Sequence, residues 1–425
     1  MSTWQNWGGN VAATPTILRP KNAEEVQALV TNSSAIKAVG ASHSFTSIAA
    51  TDGVMLKLNA MNAVVGHDAA RNRVRVQAGM SLNQLNRELF ALGLALPNMG
   101  DVDPQSVAGA TSTGTHGTGA KLRGISDAIV ALQLVTAPGD ILEIDESHPW
   151  FNAARVGLGA LGIVTEVTLQ CIPAYLLHAK ERPMELPEVL ANLDTLIDSN
   201  DHFEFYWFPH TEKALIKENN RMPAGTERKP LPRWRHQLDD EFLSNVLYER
   251  VQRVATRKQR FVPTINKISG SLLGAREYTD HSFDVFVSPR RVRFCESEFA
   301  LPRSAAKDAI AALQSWFASS GERISFPIEV RFAAADDIWM STGHERDNVY
   351  IAVHQYHRQN FEKYFAAAQE IFTAHEGRPH WGKLHTLGAE YFETVYPRFN
   401  DFVAVRNELD PGRRFTNAYL DRVLG

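Results

Sequence analysis

The sequence predicts an α+β protein of two domains, because strand patterns and helix patterns follow one another without regular alternation. Apolar residues make up 44% of the 425 residues and charged residues 22%, which is ordinary for a globular chain. Domains usually hold roughly 100–200 residues, so this length predicts two domains and leaves three as the alternative. Pro173 marks the expected boundary, which places the domains at 1–175 and 176–425.

The first domain begins with a strand end and a helix in residues 17–30, where Asn22 caps the helix and acidic residues follow the cap. A short strand over 36–40 then runs into a glycine. Residues 73–79 alternate between apolar and polar side chains, which is typical of a strand. Residues 81–92 carry apolar side chains at helical spacing behind a serine cap.

Residues 129–144 hold two apolar runs on either side of Ala-Pro-Gly-Asp, which predicts a β-hairpin. Another strand is expected over 163–172. Strands in this part of the chain do not alternate with helices, so a doubly wound parallel sheet is not expected.

The second domain again has the pattern of antiparallel strands with a few helices. Residues 219–240 are rich in Arg, Lys and Pro, which predicts a long surface loop. The patterns predict strands over 202–208, 283–288, 291–299, 328–333 and 349–356, and helices near 303–318 and 360–374.

Net charge and cysteine content exclude several classes of function. The net charge of −4 gives no footprint for nucleic acid, and the basic cluster over 290–293 is expected to be a solvated strand edge. Cys171 and Cys295 stand far apart in apolar runs, so we expect two buried thiols, no disulfide and no metal site. The sequence has no signal-peptide pattern and no run of about 20 apolar residues, so a cytoplasmic location is expected.

The first motif that carries chemistry follows the strand over 36–40. It reads Gly40, Ala41, Ser42, His43, Ser44 and Phe45. Small residues let backbone N–H groups approach a phosphate, and a histidine in such a loop lies beside whatever the loop binds. The alternative is a tight turn with an exposed histidine.

The second motif is the run 106–119, whose fourteen residues include four glycines, four threonines and two serines. Such a run can surround a pyrophosphate or a ribityl chain with N–H and hydroxyl donors, and a flexible linker is the alternative. Residues 157–162 match GxGxxG, but they precede a strand instead of following one. We therefore do not assign a Rossmann site to them.

Two further segments bring charged side chains together. Glu329 and Arg331 lie two residues apart in a strand and share one face, where they would clamp a polyol; a surface ion pair is the alternative. Residues 378–385 hold two histidines, a lysine and a tryptophan. This density suits a site that stabilises negative charge or removes a proton, with structural histidines as the alternative.

Five segments in this order together resemble the FAD-linked oxidoreductases of the vanillyl-alcohol oxidase (VAO) type: 39–59, 97–119, 157–169, 326–332 and 378–385. The ending over 409–417 fits as well, so the resemblance covers nearly the whole chain. Within that family the sequence is most similar to the aldonolactone oxidases and dehydrogenases, which act on L-gulono-, L-galactono- and D-arabinono-1,4-lactones. The alditol oxidases are near neighbours.

The resemblance implies a two-domain fold. Residues 1–175 are expected to form a PCMH-type FAD-binding domain, and residues 176–425 a substrate domain whose antiparallel sheet covers the flavin. Residues from about 375 to 425 are expected to return to the flavin. In the family the histidine of the first loop bonds covalently to FAD, and this role falls on His43. Ser42 stands where many members have glycine.

The resemblance also assigns site residues. Glu329, Arg331 and Lys383 match polar residues around the reacting hydroxyl, and His354 or His385 is expected to accept its proton. His385 favours the lactone branch. The expected cofactor contacts, besides His43, are Gly40, Ala41, Ser42, Ser44, Phe45, Gly100, Ser106, Gly109, Ser112, Thr113, Gly114, His116, Gly117, Gly162, Ile163, Val164, His380 and Lys383.

The implied function is oxidation of a carbinol carbon of a sugar-derived substrate by hydride transfer to FAD, with oxygen or another redox acceptor. An aldono-1,4-lactone is the expected substrate. The alternatives are a polyol such as xylitol, oxidised to an aldose with release of hydrogen peroxide, and a non-enzymatic sugar-binding protein on the same fold. Gly100 matches a position where a larger side chain accompanies blocked access of oxygen, which favours an oxidase.

Overall fold

The structure is a computed structural model that describes residues 3–232, 248–271, 274–288 and 292–425. The strands within these ranges are Trp4–Gln5 (β1), Ala12–Ala13 (β2), Thr16–Leu18 (β3), Ile36–Val39 (β4), Val54–Lys57 (β5), Val64–Asp68 (β6), Arg73–Gln77 (β7), Leu94–Ala95 (β8), Ile129–Val135 (β9), Ile141–Asp145 (β10), Ile163–Gln170 (β11), Ile172–Pro173 (β12), Leu176–Glu185 (β13), His202–Trp207 (β14), Lys213–Arg221 (β15), Arg276–His281 (β16), Phe294–Pro302 (β17), Ile328–Ala333 (β18), Asn348–Tyr356 (β19) and Arg378–Pro379 (β20).

The helices connect these strands and close the chain. They are Ala23–Thr31 (α1), Leu82–Ala91 (α2), Val107–Ser112 (α3), Phe151–Ala154 (α4), Leu186–Ala191 (α5), Leu193–Asp198 (α6), Tyr248–Arg257 (α7), Val262–Ser271 (α8), Ser282–Phe286 (α9), Ala306–Ser319 (α10), Glu362–Thr373 (α11), Ala389–Val395 (α12), Phe399–Leu409 (α13) and Ala418–Leu424 (α14), with short 3-10 turns at 125–128, 259–261 and 303–305.

A five-stranded antiparallel sheet with the order β10-β9-β11-β7-β6 dominates the first half of the chain. The predicted hairpin is confirmed, because β9 and β10 pair directly in antiparallel register. A three-stranded sheet, β3-β5-β4, is parallel, so this half is not antiparallel throughout. The predicted helix caps are also confirmed, since the side chains of Asn22 and Ser81 accept hydrogen bonds from the first turns of α1 and α2.

An eight-stranded sheet with the order β16-β13-β15-β14-β18-β19-β17-β20 forms the second half. Neighbouring strands in it pair antiparallel. Alternate residues along a strand face opposite sides of a sheet. Val330 and its neighbours Ile328 and Phe332 pack under α10 and α11, whose Leu313 and Phe372 lie in the same core. Glu329 and Arg331 therefore face the opposite side.

The core of the first half receives residues from the end of the chain. Val76 and Val167 come from the five-stranded sheet, and Trp381, Phe402 and Tyr419 pack into the same cluster. The last three helices follow the eight-stranded sheet in the sequence. In the folded protein they nevertheless pack against the first half of the chain.

One predicted element is wrong. Residues 283–288 are not a strand, because Ser282–Phe286 forms a helix whose Phe283 and Phe286, with Val287, pack on the first core. Within the run 106–119, Ser106 caps the short helix α3, so this run is not the flexible linker that was the alternative. The predicted loop 219–240 begins only after β15 ends, and its residues 233–240 lie outside the described residues, as do 290 and 291 of the basic cluster.

Candidate active site

A cavity of about 390 Å³ lies in the first half of the chain. Its volume falls within the range of roughly 300–1,000 Å³ that is usual for small-molecule and cofactor sites. Its wall comes mainly from loops that follow strands or precede helices, within residues 37–49, 57–59, 78–81, 104–113 and 157–164.

Glycines let these loops come together without side chains between them. A Cβ at Gly40 would overlap Ser106 Oγ, and a Cβ at Gly109 would lie only 2.9 Å from the same oxygen. Gly159 has a φ of +62° and open space above its Cα, so bare backbone forms part of the wall. Backbone N–H groups and hydroxyls presented in this way fit the phosphates and ribityl hydroxyls of a flavin dinucleotide.

Ser42 occupies a backbone position that favours glycine. Its φ is +63°, in the left-handed region, which costs an ordinary residue about 1–2 kcal/mol. Its hydroxyl accepts a hydrogen bond from Trp4 Nε1 at 3.0 Å, and its carbonyl accepts one from Trp7 N at 2.8 Å. These contacts hold the turn that directs His43 into the cavity wall.

His43 is a neutral imidazole at the wall of this large cavity. Its ring stacks on Trp7 with the centroids 5.7 Å apart. Burial, together with the nearby Lys383 ammonium, lowers the pKa of His43 to about 4. One ring nitrogen therefore keeps a lone pair at neutral pH. Phe45 N donates to Gly382 O at 2.7 Å, which ties the His43 loop to the segment 378–385.

A second cavity of about 70 Å³ adjoins that segment. Gln105 lines both cavities, so they are neighbours. The wall of the small cavity is strongly polar and consists of Gly100, Asp101, Val102, Gln105, Thr115, His116, Phe294, Glu296, Glu298, Glu329, Arg331, His380 and Lys383.

The register of the eight-stranded sheet brings the charged residues of the small cavity together. Glu329 pairs with Ala352 on β19, which pairs in turn with Glu298 on β17. Glu296 pairs directly with His354. Directly paired residues of an antiparallel sheet face the same side. The residues that share this face are Glu296, Glu298, Glu329, Arg331 and His354.

Three carboxylates surround the buried guanidinium of Arg331. Its Nη2 contacts Glu329 Oε1 and lies 3.5 Å from Asp101 Oδ1, while its Nε donates to Glu204 Oε2 at 2.8 Å. Burial alone would lower the pKa of Arg331, but Glu329 and Glu204 raise it well above its usual value. Tyr206 OH donates to Glu329 Oε1 at 2.9 Å and holds that carboxylate in place.

Lys383 and His354 meet at a second carboxylate. Lys383 Nζ pairs with Glu296 Oε2, and His354 Nε2 lies 3.6 Å from Glu296 Oε1 and 4.0 Å from Glu329 Oε2. His354 Nδ1 lies 3.1 Å from the carbonyl of Pro327, so Nδ1 carries a hydrogen. Burial would raise the pKa of Glu296, but Lys383 and His354 lower it to about 2.

A third buried pair lies at the other end of the cavity. His116 Nε2 is 3.2 Å from Glu298 Oε1, and the ring of His116 stacks on Tyr350 at 3.6 Å. Burial would raise the pKa of Glu298, but His116 holds it well below its usual range. Burial lowers the pKa of His380 to about 3, so this ring is neutral and accepts a backbone N–H bond at 3.0 Å.

Most of the residues selected from the sequence line one of the two cavities. Those in the wall of the large cavity are Gly40, Ala41, Ser42, His43, Ser44, Ser106, Gly109, Ser112, Thr113, Gly162, Ile163 and Val164. Those in the wall of the small cavity are Gly100, His116, Glu329, Arg331, His380 and Lys383.

Three expected cofactor contacts support the walls without lining either cavity. Phe45 packs beside Trp7, with Lys383 Nζ 5.4 Å from its ring centroid. Gly114 has a φ of +74° just after α3, where a left-handed residue ends a helix. Gly117 packs so closely on neighbouring backbone that a Cβ would overlap the Met99 carbonyl.

The two candidate proton acceptors lie in different places. His354 Nε2 is buried directly behind the carboxylates of the small cavity, although His354 is not part of the wall. His385 lies away from the cavity, with Nε2 2.9 Å from Tyr419 OH and its ring edge-on to Phe392. Burial lowers the pKa of His385 to about 3.

Sequence reasoning missed several polar residues of the small cavity and its support. Glu296 and Glu298 lie two apart on β17, and Glu204 and Tyr206 lie two apart on β14. Glu329 and Arg331 have the same spacing, so the pattern marks both pairs as candidates, although a solvated strand face shows it too. Residues 157–162 precede β11, as the sequence indicates, and most of them line the large cavity, where positive φ values at residues 158, 159 and 162 turn the backbone.

Comparison with known proteins defines the class first. Residues 14–145 match the FAD binding domain family. The whole chain superposes on the crystal structure of cholesterol oxidase from B. sterolicum with a TM-score of 0.84 at 17% identity, covering 100% of this chain and 96% of that one. The chain therefore contains an FAD-binding domain, and the predicted α+β fold of the VAO type is confirmed.

The match of the second half of the chain identifies the family. Residues 167–423 match the D-arabinono-1,4-lactone oxidase family, and the chain belongs to that family. It is 40% identical to an L-gulono-1,4-lactone dehydrogenase of Mycobacterium tuberculosis, over 99% of both chains. It is 32% identical to an alditol oxidase of a Streptomyces species, over 99% of this chain and 98% of that one.

Across the described ranges of the chain, none of the helices combines the length and the apolar character that crossing a bilayer requires.

Proposed function

We propose that the chain oxidises a carbinol carbon of an aldono-1,4-lactone, with FAD attached through His43 and molecular oxygen as electron acceptor. In this proposal the large cavity holds FAD and the small cavity holds the reacting hydroxyl. The observation that carries it is the pair of cations, Arg331 and Lys383, set on buried carboxylates in a cavity that shares Gln105 with the large one.

Two observations support a covalent link at His43. The ring lies in the wall of the large cavity, at the end nearest Lys383 and the small cavity. Its low pKa leaves a ring nitrogen unprotonated at neutral pH, and a lone pair on nitrogen is what a C–N bond requires. The stack on Trp7 limits the directions in which that nitrogen can point.

The proposed division of labour assigns the redox chemistry to FAD and the handling of charge to the protein. Bound FAD supplies an acceptor for hydride from the carbinol carbon. Arg331 and Lys383 hold the substrate oxygen and stabilise negative charge that develops on it. Glu329, fixed through Oε1 by Arg331 and Tyr206, accepts a hydrogen bond from the substrate and sets its pose.

The proton of the substrate hydroxyl has a proposed acceptor in His354. Nδ1 of His354 is committed to the Pro327 carbonyl, which leaves the lone pair on Nε2. Glu329 lines the cavity, and its Oε2 lies 4.0 Å from that nitrogen. We propose that the proton passes through Oε2 to Nε2, where Glu296 and Glu329 stabilise the imidazolium. His385, bonded to Tyr419, is assigned to packing.

The proposal of oxygen as acceptor depends on Gly100. This residue lines the small cavity, and a Cβ there would lie 3.1 Å from His116 O and 3.4 Å from Thr115 Cγ2. A side chain at this position would narrow the approach to the reacting centre. Its absence favours access for a small oxidant.

We also propose that the domains divide near residue 175 and that residues from about 375 onward complete the cofactor domain. Trp381 and Tyr419 support this division, because they pack into the core of the first half. The Lys37 ammonium adds a direct tie, since its Nζ donates to Phe415 O at 2.6 Å from within the wall of the large cavity.

A polyol is the second candidate substrate. The alditol oxidase relative supports it, and Arg331, Lys383 and Glu329 would serve a primary alcohol as well as a ring hydroxyl. Steady-state oxidation of L-gulono-1,4-lactone and of xylitol separates the two. We expect a kcat/KM at least ten-fold higher for the lactone; the reverse order would assign the enzyme to polyols, and failure of both would refute the proposed function.

The covalent link has its own test. Acid-precipitated protein should stay yellow, and the mass of the peptide that contains His43 should increase by that of FAD. His43→Ala should lose the bound colour on precipitation, whereas His67→Ala, which changes an exposed histidine, should keep it. A His43→Ala protein that retains covalent flavin would exclude this attachment site.

A further inference from the structure

One face of the eight-stranded sheet carries a row of alternating charges that begins at Arg331 and crosses five strands. Arg331 on β18 pairs with Glu204 on β14, and Glu204 pairs with Lys217 on β15. Lys217 pairs in turn with Glu181 on β13, and Glu181 with Arg276 on β16. Paired residues face one side with Cβ atoms about 4.5–5.5 Å apart, so these five side chains, the charge row, lie next to one another.

Direct contacts join the charge row at both ends, and Lys217 and Glu181 are cross-strand neighbours between them. Arg331 Nε donates to Glu204 Oε2 at 2.8 Å, and Lys217 Nζ lies 3.2 Å from the other oxygen of Glu204. Arg276 closes the row on Glu181 with contacts of 2.7 and 2.9 Å. Each side chain in the row is at most 16% exposed, so water screens these charges weakly.

Lys217 changes what Arg331 can offer to a substrate. Arg331 faces three carboxylates, those of Glu329, Glu204 and Asp101. Because Lys217 pairs with one oxygen of Glu204, Arg331 neutralises only part of the negative charge of that carboxylate. Without Lys217, the guanidinium would be drawn toward Glu204, and its positive charge would be compensated from within the protein.

We propose that Lys217, acting through Glu204, is a positioning residue for Arg331, which fixes the guanidinium and keeps its charge available to the substrate oxygen. The inference rests on the role of Arg331 in the proposed function. Lys217 and Glu204 line neither cavity among the described residues, so their effect must pass through Arg331.

The test compares two lysines of the same strand. Lys217→Met should lower kcat with L-gulono-1,4-lactone, per bound flavin, at least ten-fold, with a change in KM below three-fold. Lys217→Arg should restore most of kcat. Lys213→Met is the matched control, because Lys213 also lies on β15 and pairs with a glutamate, Glu185, but at the surface with 37% of its side chain exposed. It should leave kcat unchanged.

The direction in which a second substitution changes kcat distinguishes a positioning role of Lys217 from simple support of the fold. Glu204→Gln in the Lys217→Met background removes the carboxylate that would draw the Arg331 guanidinium away, so the double variant should have a kcat at least three-fold above that of Lys217→Met. If Lys217 only supported packing, the kcat of the double variant would be equal to or below that of Lys217→Met. A Lys217→Met enzyme with wild-type kcat would also overturn the proposal.

Melting temperatures of the same holoenzymes distinguish failure of the charge row from failure of the proposed function. Glu204→Gln should lower the melting temperature of the wild type but raise that of Lys217→Met. Additive changes would show that the row does not act as a unit and would overturn the inference. A wild-type protein that oxidises neither lactone nor polyol would instead refute the proposed function, with the coupling between Lys217 and Glu204 intact.

Discussion

Replacement of Glu296 by glutamine is the most direct test of the electrostatics of the small cavity. Glu296 is 6% exposed and holds the Lys383 ammonium on one oxygen, with His354 Nε2 3.6 Å from the other. Glutamine keeps the shape of the side chain and removes its charge. The Lys383 ammonium would then have no carboxylate at its present position.

The magnitude follows from the pKa of Glu296. Burial opposes ionisation, but Lys383 and His354 lower the pKa from 4.5 to about 2, which corresponds to about 3 kcal/mol of folding free energy at pH 7. The pKa is depressed in the folded state, so this stability is present above pH 4.5 and is lost as the pH falls toward 2. By linkage, about 2 kcal/mol of it should disappear between pH 7 and pH 3.

The assay is denaturant unfolding of the holoenzyme and the Glu296→Gln holoenzyme at pH 7 and pH 3, followed by tryptophan fluorescence. The gap between the two free energies of unfolding should narrow by about 2 kcal/mol at the lower pH. Glu277→Gln is the control, because Glu277 pairs with His178 at the surface with 61% of its side chain exposed. A gap that stays constant or widens as the pH falls would refute the reasoning.

Four further substitutions, one of them with a compensating second change, test the cavities and the roles of the two histidines. Gly40→Ala should displace Ser106 Oγ, destabilise the cap of α3 by about 1 kcal/mol and at least halve flavin content, and added Ser106→Gly should restore the flavin measured by absorbance. Gly100→Ala should lower turnover with oxygen at least five-fold while turnover with a dye acceptor stays within two-fold; an equal loss with both would exclude control of oxygen access. His354→Gln should lower kcat at least 100-fold, and His385→Gln should lower the melting temperature with less than a three-fold change in kcat; the opposite order would make His385 the proton acceptor.

Local chemistry explains why much of the fold and of the wall of the large cavity could be predicted. Asn22 and Ser81 cap their helices through short contacts with the next turn, which depend on sequence neighbours alone. The loop around His43 is likewise local, since a strand end followed by small residues must expose backbone. Even Ser42 fits this view, because its left-handed φ is a backbone conformation that glycine adopts most readily.

Residues that act through distant partners escaped prediction. Glu296 meets Lys383, 87 positions away, only because β17 and the segment 378–385 lie side by side in the folded protein. On a strand whose neighbours are unknown, a glutamate at alternate positions has the pattern of a solvated face. His385 shows the opposite case. It lies five residues after His380 in the sequence, but its ring turns toward Tyr419, whereas His380 lines the small cavity.

Both cations of the small cavity are paired with carboxylates, and this pairing limits how much negative charge on a substrate they can stabilise. Arg331 and Lys383 are each paired with a carboxylate, so each offers a substrate oxygen only part of its positive charge. A full alkoxide would compete with Glu329 and Glu296 for the same donors, in surroundings where water screens little. The arrangement therefore favours loss of the hydroxyl proton together with the hydride over prior formation of an alkoxide. His354 fits that order, because the carboxylates that would repel an alkoxide are the ones that stabilise a protonated imidazole.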